Sequence, residues 1–394
     1  MKERKLKIVA DAHIWGVYAA FSSLPGFNVD LQVVENSAIT QAILLDADIL
    51  LTRSSTKVNA ELLEGTSVRF AATATIGDDH YDKPWLEGAG ITWANAAGSS
   101  TGSVIEYMMA SLLELHVRRL ISIPDSTLGI VGVGRIGSLL SSVCEKLGMN
   151  LLYNDPPRER IEGDGKFASM QRLLAEADVV TLHTPLLRDG DDKTFHLIDS
   201  EWFSAFKGQG VINAARGGCV DNSALLNWLD GDVERFAVLD CWEGEPNVSK
   251  ALLAHPQLVI ATPHIAGHSL DGKAANTQYV YSALCRYLGV EPVWSMREAL
   301  PVTHQIRRVT TEKGPWQSLH RLATTLYPIM QDDHEMRGWL VQPDENLAGS
   351  FSFFRRNYPV RRAWGEEQVE MANADEKLIQ YAGVIGIDVL HSEV

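Results

Sequence analysis

The sequence predicts an α/β protein built on parallel sheets, and three observations carry that reading. Apolar strand-like runs alternate with helix-like segments from residue 6 to about residue 290. Alternation of this kind implies parallel strands with helices on both faces. One of the runs leads directly into the glycine loop GVGRIG (132–137). Beyond about residue 295 the chain becomes rich in charge and Trp, which marks a further α+β region.

The elements follow in order. LKIVAD (6–11), FNVDLQVV (27–34), ADILLTR (47–53), VRFAATAT (68–75) and ITWANA (91–96) read as strands. ITQAILLDA (39–47) and NAELLEG (59–65) read as helices between them. SVIEYMMASLLELHVRRL (103–120) repeats apolar residues at three- and four-residue steps and ends in basic side chains, as a helix C-terminus favours. A second series follows: TLGIVGV (127–133), NLLYND (150–155), ADVVTLHT (177–184), GVINAA (210–215), RFAVLDCW (235–242) and QLVIATPH (257–264). Six strands match a complete dinucleotide-binding sheet, the doubly wound Rossmann arrangement. DGKAANTQYVYSALCRYLG (271–289) is a helix ending at a glycine C-cap. In the last region PWQSLHRLATTLYPIMQ (315–331) reads as a helix and GWLVQP (338–343) as a strand. The expected partition is 1–98, 99–266, a return over 267–294, and 295–394.

Composition narrows the function. The 394 residues carry 35 basic and 50 acidic side chains, a formal charge of −15, which argues against a general nucleic-acid binder. A hydrophobic content of 45% supplies well-packed cores. Cys144, Cys219, Cys241 and Cys285 form no CxxC pair and read as reduced thiols of a cytoplasmic protein. No apolar run reaches the ~18 residues of a membrane span. The N-terminal MKERKLKIVAD reads as a first strand and not as a signal peptide. Asp79, His80 and Asp82 lack the spacing of a metal site, so none is expected.

Each glycine of the loop has a physical task. Gly132 permits the tight turn, Gly134 lets backbone approach a diphosphate, and Gly137 lets the helix pack on the strand. The anion would lie on the N-terminus of the helix that Arg135 and Ile136 open. Asp155 ends the next strand, 23 residues after Gly132, where a carboxylate accepts hydrogen bonds from ribose hydroxyls and repels a 2′-phosphate. NAD is therefore expected over NADP. Arg158 nearby is the group that could reverse this preference.

Arg216, Glu245 and His264 stand at successive strand ends, where an open α/β sheet places its ligand crevice. Oxidising a 2-hydroxy acid needs a cation for the carboxylate, a base for the hydroxyl proton, and an acid to steady that base. Arg216, His264 and Glu245 fill those roles; taken singly, each could instead be a plain loop residue. Asp240 either faces the nicotinamide amide or holds backbone N–H groups as a buried strand-end carboxylate.

GVGRIG, INAARGGCVDNSALL (212–226), VLDCWEGEP (238–246) and TPHIAGHSLDGKA (262–274) resemble the D-isomer-specific 2-hydroxyacid dehydrogenases. TRSSTKVN (52–59), RFAATATIGDDHYD (69–82), YNDPP (153–157), HTPLLRDGDDKTFHL (183–197) and RRNYPVRRAW (355–364) are similar to the erythronate-4-phosphate dehydrogenase branch of that family. The resemblance implies a Rossmann domain inserted in a smaller flavodoxin-like substrate domain, followed by a C-terminal dimerisation domain. It implies NAD-dependent oxidation of 4-phospho-D-erythronate in vitamin B6 cofactor synthesis, by a cytoplasmic homodimer. It implies active-site roles for Arg216 and Glu245, with His264 as proton donor and acceptor. It also implies cofactor contacts at Asp155, Thr184, Asp240 and Gly267, and substrate contacts at Ser54 and Thr75.

The chain departs from the branch at three places. His268 replaces a usual substrate-contacting Tyr, Ser99-Ser100-Thr101-Gly102 replaces Cys-Asn followed by apolar residues, and Asp78 replaces a usual Thr. These keep two alternatives open: a dehydrogenase for another D-2-hydroxy acid such as 3-phosphoglycerate, and a non-catalytic NAD sensor. Arg53, with Ser54, Thr56 and Lys57, is the expected phosphate-binding group at a strand end. Arg355, Arg356, Arg361 and Arg362 read as a solvated face or as a second phosphate patch. Trp316, Leu319, Leu322 and Leu326 fall on one helical face and are the expected dimer contact.

Overall fold

The computed structural model describes residues 4–163, 165–303 and 305–390, which fold as two units. The first unit comprises the chain up to Gly102 with Ser269–Val302. Its strands are β1 (Arg4–Asp11), β2 (Phe27–Val34), β3 (Ile49–Thr52), β4 (Phe70–Thr73) and β5 (Thr92–Asn95). All pair in parallel, in the order β2-β1-β3-β4-β5. That is the flavodoxin-like order, and its switch point lies between β1 and β3. Strands β3 and β4 are wholly buried, as expected of a parallel sheet covered on both faces. The helix Leu270–Leu288 ends at Gly289 in the left-handed region (φ 69°) and buries Val280, Tyr281 and Leu284 in the core shared with Ile8 and Phe70.

The second unit comprises Ser103–His268 and the chain from Thr303 onward. Its main sheet contains β6 (Thr127–Val131), β7 (Asn150–Asn154), β8 (Val179–Leu182), β9 (Gly210–Asn213), β10 (Phe236–Leu239) and β11 (Leu258–Ala261). The order is β11-β10-β9-β8-β6-β7, all parallel. The chain reverses direction across the sheet at β6, so the crevice opens at the C-terminal end of that strand. The N–H of Ala168 donates to the Tyr153 carbonyl at 2.6 Å, a single outer rung beyond β7.

The chain after residue 303 adds a second, parallel sheet of β12 (Ile306–Thr310), β13 (Gln368–Ala372) and β14 (Val389–Leu390). Its packing overturns one expectation. Leu319, Leu322 and Leu326 are buried in the chain's own core with Tyr107, Met108 and Leu112. Trp316 stacks on Tyr381, with ring centroids 4.8 Å apart. The face read as a dimer contact is therefore internal. Its partner, the helix Thr101–Val117, is buried on every side from Ser103 to Leu115, as a helix apolar all round must be.

The helix Ile329–Gly338 closes the β11 edge. Asp333 accepts from the Ala261 N–H at 2.8 Å, while Arg337 donates to the Leu253 carbonyl at 2.6 Å and to the Leu258 carbonyl. Strand-edge groups that would invite another chain are thus satisfied. The single helix expected over 315–331 is two, because Pro328 has no N–H to continue the ladder after Leu326. GWLVQP is not a strand: Trp339–Val341 is a 3₁₀ turn extending the preceding helix, and it buries Trp339 while Val341 stays exposed. An apolar triplet without alternation fits either state, and the preceding helix decides it. Cys144, Cys219, Cys241 and Cys285 are all buried, and no disulfide joins them. Among the described residues no helix is long and apolar enough to cross a membrane.

Candidate active site

At the switch point, internal packing fixes two of the three loop glycines. Gly132 has φ 86°, and a Cβ there would meet the His183 carbonyl at 2.8 Å. A Cβ on Gly137 would lie 2.2 Å from the Gly132 oxygen. Gly134 differs, since nothing lies within 4 Å of its missing Cβ. That opening, together with the helix Arg135–Lys146 that no described side chain caps, is what a diphosphate requires. Arg135 is exposed on the first turn, and Ile136 packs against the core. The Thr184 methyl would meet a Gly132 Cβ at 2.9 Å, which places Thr184 on the crevice wall.

Asp155 sits where a ribose would be read. One carboxylate oxygen accepts from the Val133 N–H at 2.7 Å; the other caps the helix Pro156–Glu162 through the Arg158 N–H at 3.1 Å. Arg158 turns its guanidinium onto Glu162 and the Val133 carbonyl. A cation committed to Glu162 is a weak magnet for a 2′-phosphate, so the site favours NAD.

Three strand-end turns build the second half of the site. Asn213, buried at the end of β9, donates to the Arg216 carbonyl at 3.0 Å and accepts from the Ala215 N–H at 3.1 Å. Gly217 follows, and a Cβ there would lie 1.9 Å from the Trp242 oxygen, so this turn closes directly on the next. Trp242 donates through Nε1 to the Thr262 carbonyl at 2.9 Å, tying the second turn to the third. Arg216, Glu245 and His264 ride on these three linked turns.

His264 has φ 54°, a left-handed conformation that costs a non-glycine residue of order 1–3 kcal/mol. Asp240 is what holds it. The His264 N–H donates to the Asp240 carbonyl at 2.7 Å. The Asp240 carboxylate accepts from the Ile265 N–H at 2.7 Å, the Ala266 N–H at 3.0 Å and the Thr262 hydroxyl at 2.8 Å. Of the two readings of Asp240, the structure displays the backbone-holding one. Burial pushes its carboxyl pKa up, against the pull of the His264 charge and these bonds.

The His264 Nδ1 meets Glu245 Oε1 at 2.5 Å, and the other Glu245 oxygen accepts from the Trp242 N–H at 3.0 Å. Burial alone would raise the Glu245 carboxyl. The His264 charge and hydrogen bond, the Arg355 charge and the Trp242 N–H outweigh it and hold the group at about 2. With Nδ1 held by a carboxylate, Nε2 is the atom left to exchange a proton with a ligand. The thiol of Cys241 marks how tightly the groups converge: burial raises its pKa, Asp240 and Glu245 raise it further, and Arg216 and Arg355 oppose them. Arg216 is half-buried, with Nη1 on the Ala215 carbonyl at 2.8 Å.

Gly267 and His268 complete the third turn. The His268 N–H donates to the Ile265 carbonyl at 2.8 Å, and its ring meets Tyr358 edge-on at 6.0 Å. In the first unit, Arg53 and Ser54 follow the C-terminal end of β3, with Ser54 exposed and Arg53 half-buried. Thr75 lies just past β4, its hydroxyl bonded to Thr73 at 2.7 Å and to the Gly77 carbonyl at 2.8 Å. Asp78 pairs there with Lys83 at 3.1 Å and accepts from the Asn95 amide at 2.8 Å; Lys57 is not its partner among the described residues.

The arginines of 355–362 do not form the solvated face that their sequence suggests. Arg361 is buried on Glu106 and over the Tyr327 ring, Arg362 bonds Thr303 and Glu366, and Arg355 reaches His264. Sequence reading also passed over Asn213 and Thr262. Their only signal was a polar side chain inside or directly after an apolar strand. It passed over His196 as well, which pairs through Nε2 with Glu243 beside the Asp221-capped helix.

Comparison with known proteins gives the family and the fold. Residues 109–266 match the family model described as "D-isomer specific 2-hydroxyacid dehydrogenase, NAD binding domain". The chain is similar to the erythronate-4-phosphate dehydrogenase of Pseudomonas aeruginosa, 39% identical over 360 residues that cover 91% of this chain and 93% of that one. It is likewise similar to that of Escherichia coli O127:H6, 40% identical over 362 residues, with 91% and 92% covered. Among solved structures, the D-lactate dehydrogenase of Aquifex aeolicus, complexed with NAD and lactic acid, superposes with a TM-score of 0.60 at 23% identity. That match covers 72% of this chain and 95% of the other.

Proposed function

The chain belongs to the D-isomer-specific 2-hydroxyacid dehydrogenase family, on its erythronate-4-phosphate dehydrogenase branch, and on that premise we propose how its residues act. The reaction is NAD-dependent oxidation of 4-phospho-D-erythronate at C2 to 3-hydroxy-2-oxo-4-phosphooxybutanoate, a step of pyridoxal phosphate biosynthesis. The observation that carries it is the His264–Glu245 pair at 2.5 Å on a strand-end turn beside the Arg216 turn, downstream of an open dinucleotide loop.

Gly132, Gly134, Gly137 and the helix N-terminus at Arg135 and Ile136 hold the diphosphate, and Asp155 holds the adenosine ribose. Thr184 and Gly267 line the nicotinamide end, and Asp240 acts behind it by holding the turn that carries His264. NAD, when bound, supplies the acceptor for the hydride leaving C2. Arg216 fixes the substrate carboxylate with its planar fork, which orients C2. His264 takes the C2 hydroxyl proton on Nε2. Glu245, ionised throughout the working pH range, keeps Nδ1 protonated and stabilises the imidazolium that forms. The products are the 2-oxo acid, the reduced cofactor and the proton held on His264. Arg53, Ser54, Thr75 and His268 are assigned to the rest of the substrate.

A homodimer formed through the chain beyond residue 295 completes the reading. Leu319, Leu322 and Leu326 being internal, the contact is assigned to three of the exposed apolar side chains of that region, Val341 (91% exposed), Phe353 (69%) and Val360 (77%). Removing the region would open the core it shares with Tyr107 and Met108, so the clean test is Phe353→Glu with Val341→Glu, read by sedimentation. A dimer that survives both changes refutes the assignment. A cytoplasmic setting agrees with four buried cysteines that no disulfide joins. The reaction is tested by following NAD reduction with 4-phosphoerythronate, 3-phosphoglycerate and unphosphorylated erythronate. A wild type indifferent to the phosphate refutes the substrate.

A further inference from the structure

Arg355 belongs to the last turn of the helix Asp344–Arg356, outside the six-stranded sheet that carries the redox site. Among the described residues its one hydrogen bond runs from Nε to the His264 carbonyl, at 3.1 Å. The side chain is half-buried and lies beside Phe351, 5.8 Å from the ring centroid. Its carboxylate neighbourhood is already committed, since Glu245 is spent on His264 and Trp242. The two terminal nitrogens thus offer four N–H donors with no acceptor among the described residues, on a fork whose plane is set by the backbone of the catalytic histidine. A partly desolvated guanidinium left without an acceptor is costly, and such a fork matches the oxygens of a phosphate or carboxylate.

We propose that Arg355 is a specificity-determining residue that reads a second anionic group of the substrate while Arg216 holds the carboxylate. The proposal rests on the hydroxy-acid reading of the site given above. Because Nε is anchored on the His264 carbonyl, the guanidinium is held beside any substrate whose C2 oxygen docks on the His264 ring. A lysine in its place would keep the charge and lose both the Nε anchor and the planar fork. The same charge falls on Glu245, where it helps keep the carboxylate ionised. The helix that supplies Arg355 lies in the region after residue 303, so this region contributes to substrate choice and not only to packing.

Two measurements test this. The first is kcat/KM of wild type, Arg355→Lys and Arg355→Met for 4-phosphoerythronate and for erythronate. Loss of one charge-assisted contact is expected to cost about 10–100-fold more on the phosphorylated substrate than on erythronate, with Arg355→Lys recovering part of it. An equal loss on both substrates, or no loss, overturns the proposal while a phosphate-preferring wild type leaves the function standing. The second is independent of turnover: inorganic phosphate is titrated into the NAD-loaded protein and thermal unfolding is followed. Phosphate is expected to raise the midpoint of wild type and not of Arg355→Met. Equal response of the two proteins, or none from wild type, overturns the proposal even if 4-phosphoerythronate proves not to be the substrate. The midpoints without phosphate show whether Arg355→Met is folded, and Arg355→Lys carries the test if it is not.

Discussion

Replacing Glu245 with Gln removes one charge and one acceptor from the centre of the site while keeping its shape. The carboxylate now accepts twice, from the Trp242 N–H at 3.0 Å and from His264 Nδ1 at 2.5 Å. Glutamine has one acceptor oxygen, so its NH₂ must face one of those donors. If it faces His264, the ring must turn Nδ1 into an acceptor and place its proton on Nε2, the nitrogen that must be empty to act as base. If it faces Trp242, a buried N–H is orphaned and the turn carrying residue 245 loosens.

The charge has its own magnitude. The carboxyl falls from its ordinary 4.5 to about 2, and at ~1.4 kcal/mol per pKa step that is roughly 3 kcal/mol of preference for the ionised form. His264 is the leading favourable cause, followed by Arg355 and the Trp242 N–H. Coupling is reciprocal, so the carboxylate favours the imidazolium as much as the imidazolium favours it. The acid limb of the kcat/KM profile of Glu245→Gln is expected to move downward, because an imidazolium without its carboxylate loses its proton more easily. The maximal rate falls roughly 10²–10⁴-fold with the wrong tautomer. Stability follows the same sign: the Glu245 contribution is complete above pH 4.5 and is lost as pH falls toward 2, so acid unfolding of the variant flattens there. Steady-state NAD reduction between pH 5 and 10 and acid-unfolding curves read both effects. An unmoved acid limb with near-normal turnover would refute the pairing as the source of the base's proton affinity.

The remaining predictions concern neighbouring groups. His264→Asn lowers kcat by roughly 10²–10⁴ across the pH range, and a variant of near-normal rate would reassign the base. Gly137→Ala places a methyl 2.2 Å from the Gly132 oxygen and lowers the melting temperature with or without cofactor. Gly134→Ala leaves the apo melting temperature close to wild type and raises the Kd for NAD, because its Cβ meets nothing in the protein. The Asp332 carboxyl is pushed up to about 6, burial being the main cause, so stability from this group is present below pH 3.8 and lost as pH rises through 6. Asp332→Asn, compared with wild type by thermal unfolding at pH 5 and pH 8, should therefore gain relative stability at pH 8; an unchanged difference excludes the titration.

What the sequence made legible has a common cause. Both sheets were readable because buried parallel strands are written as unbroken apolar runs, and the loop was readable because Gly132 and Gly137 answer to local backbone sterics. The placement of Arg216, Glu245 and His264 on strand-end turns was readable because strand ends are where such a sheet exposes polar side chains. The region after residue 303 was misread for the opposite reason. A helical stripe of Trp316, Leu319, Leu322 and Leu326 states that an apolar surface must be covered, not what covers it. The answer lay in the helix Thr101–Val117, whose own apolar residues circle the whole axis and therefore demand a second layer of packing.

The same logic separates the four arginines of 355–362. In sequence they form one basic patch; in the fold only Arg356 is an exposed member, Arg361 is spent on Glu106, Arg362 bonds Thr303 and Glu366, and Arg355 is anchored through Nε alone on the His264 carbonyl. A chain of net charge −15 has no general attraction for an anionic substrate, so the positive field at its site must be local and built residue by residue. Arg216 supplies one cation from the turn after β9, and the helix Asp344–Arg356 brings Arg355 against the same histidine turn. Asp78, the acidic departure from the branch, is paired with Lys83 and accepts from Asn95, so its charge does not stand unopposed. The charge arithmetic of the whole chain and the charge of its site are therefore separate quantities, and it is the second that selects a phosphorylated hydroxy acid.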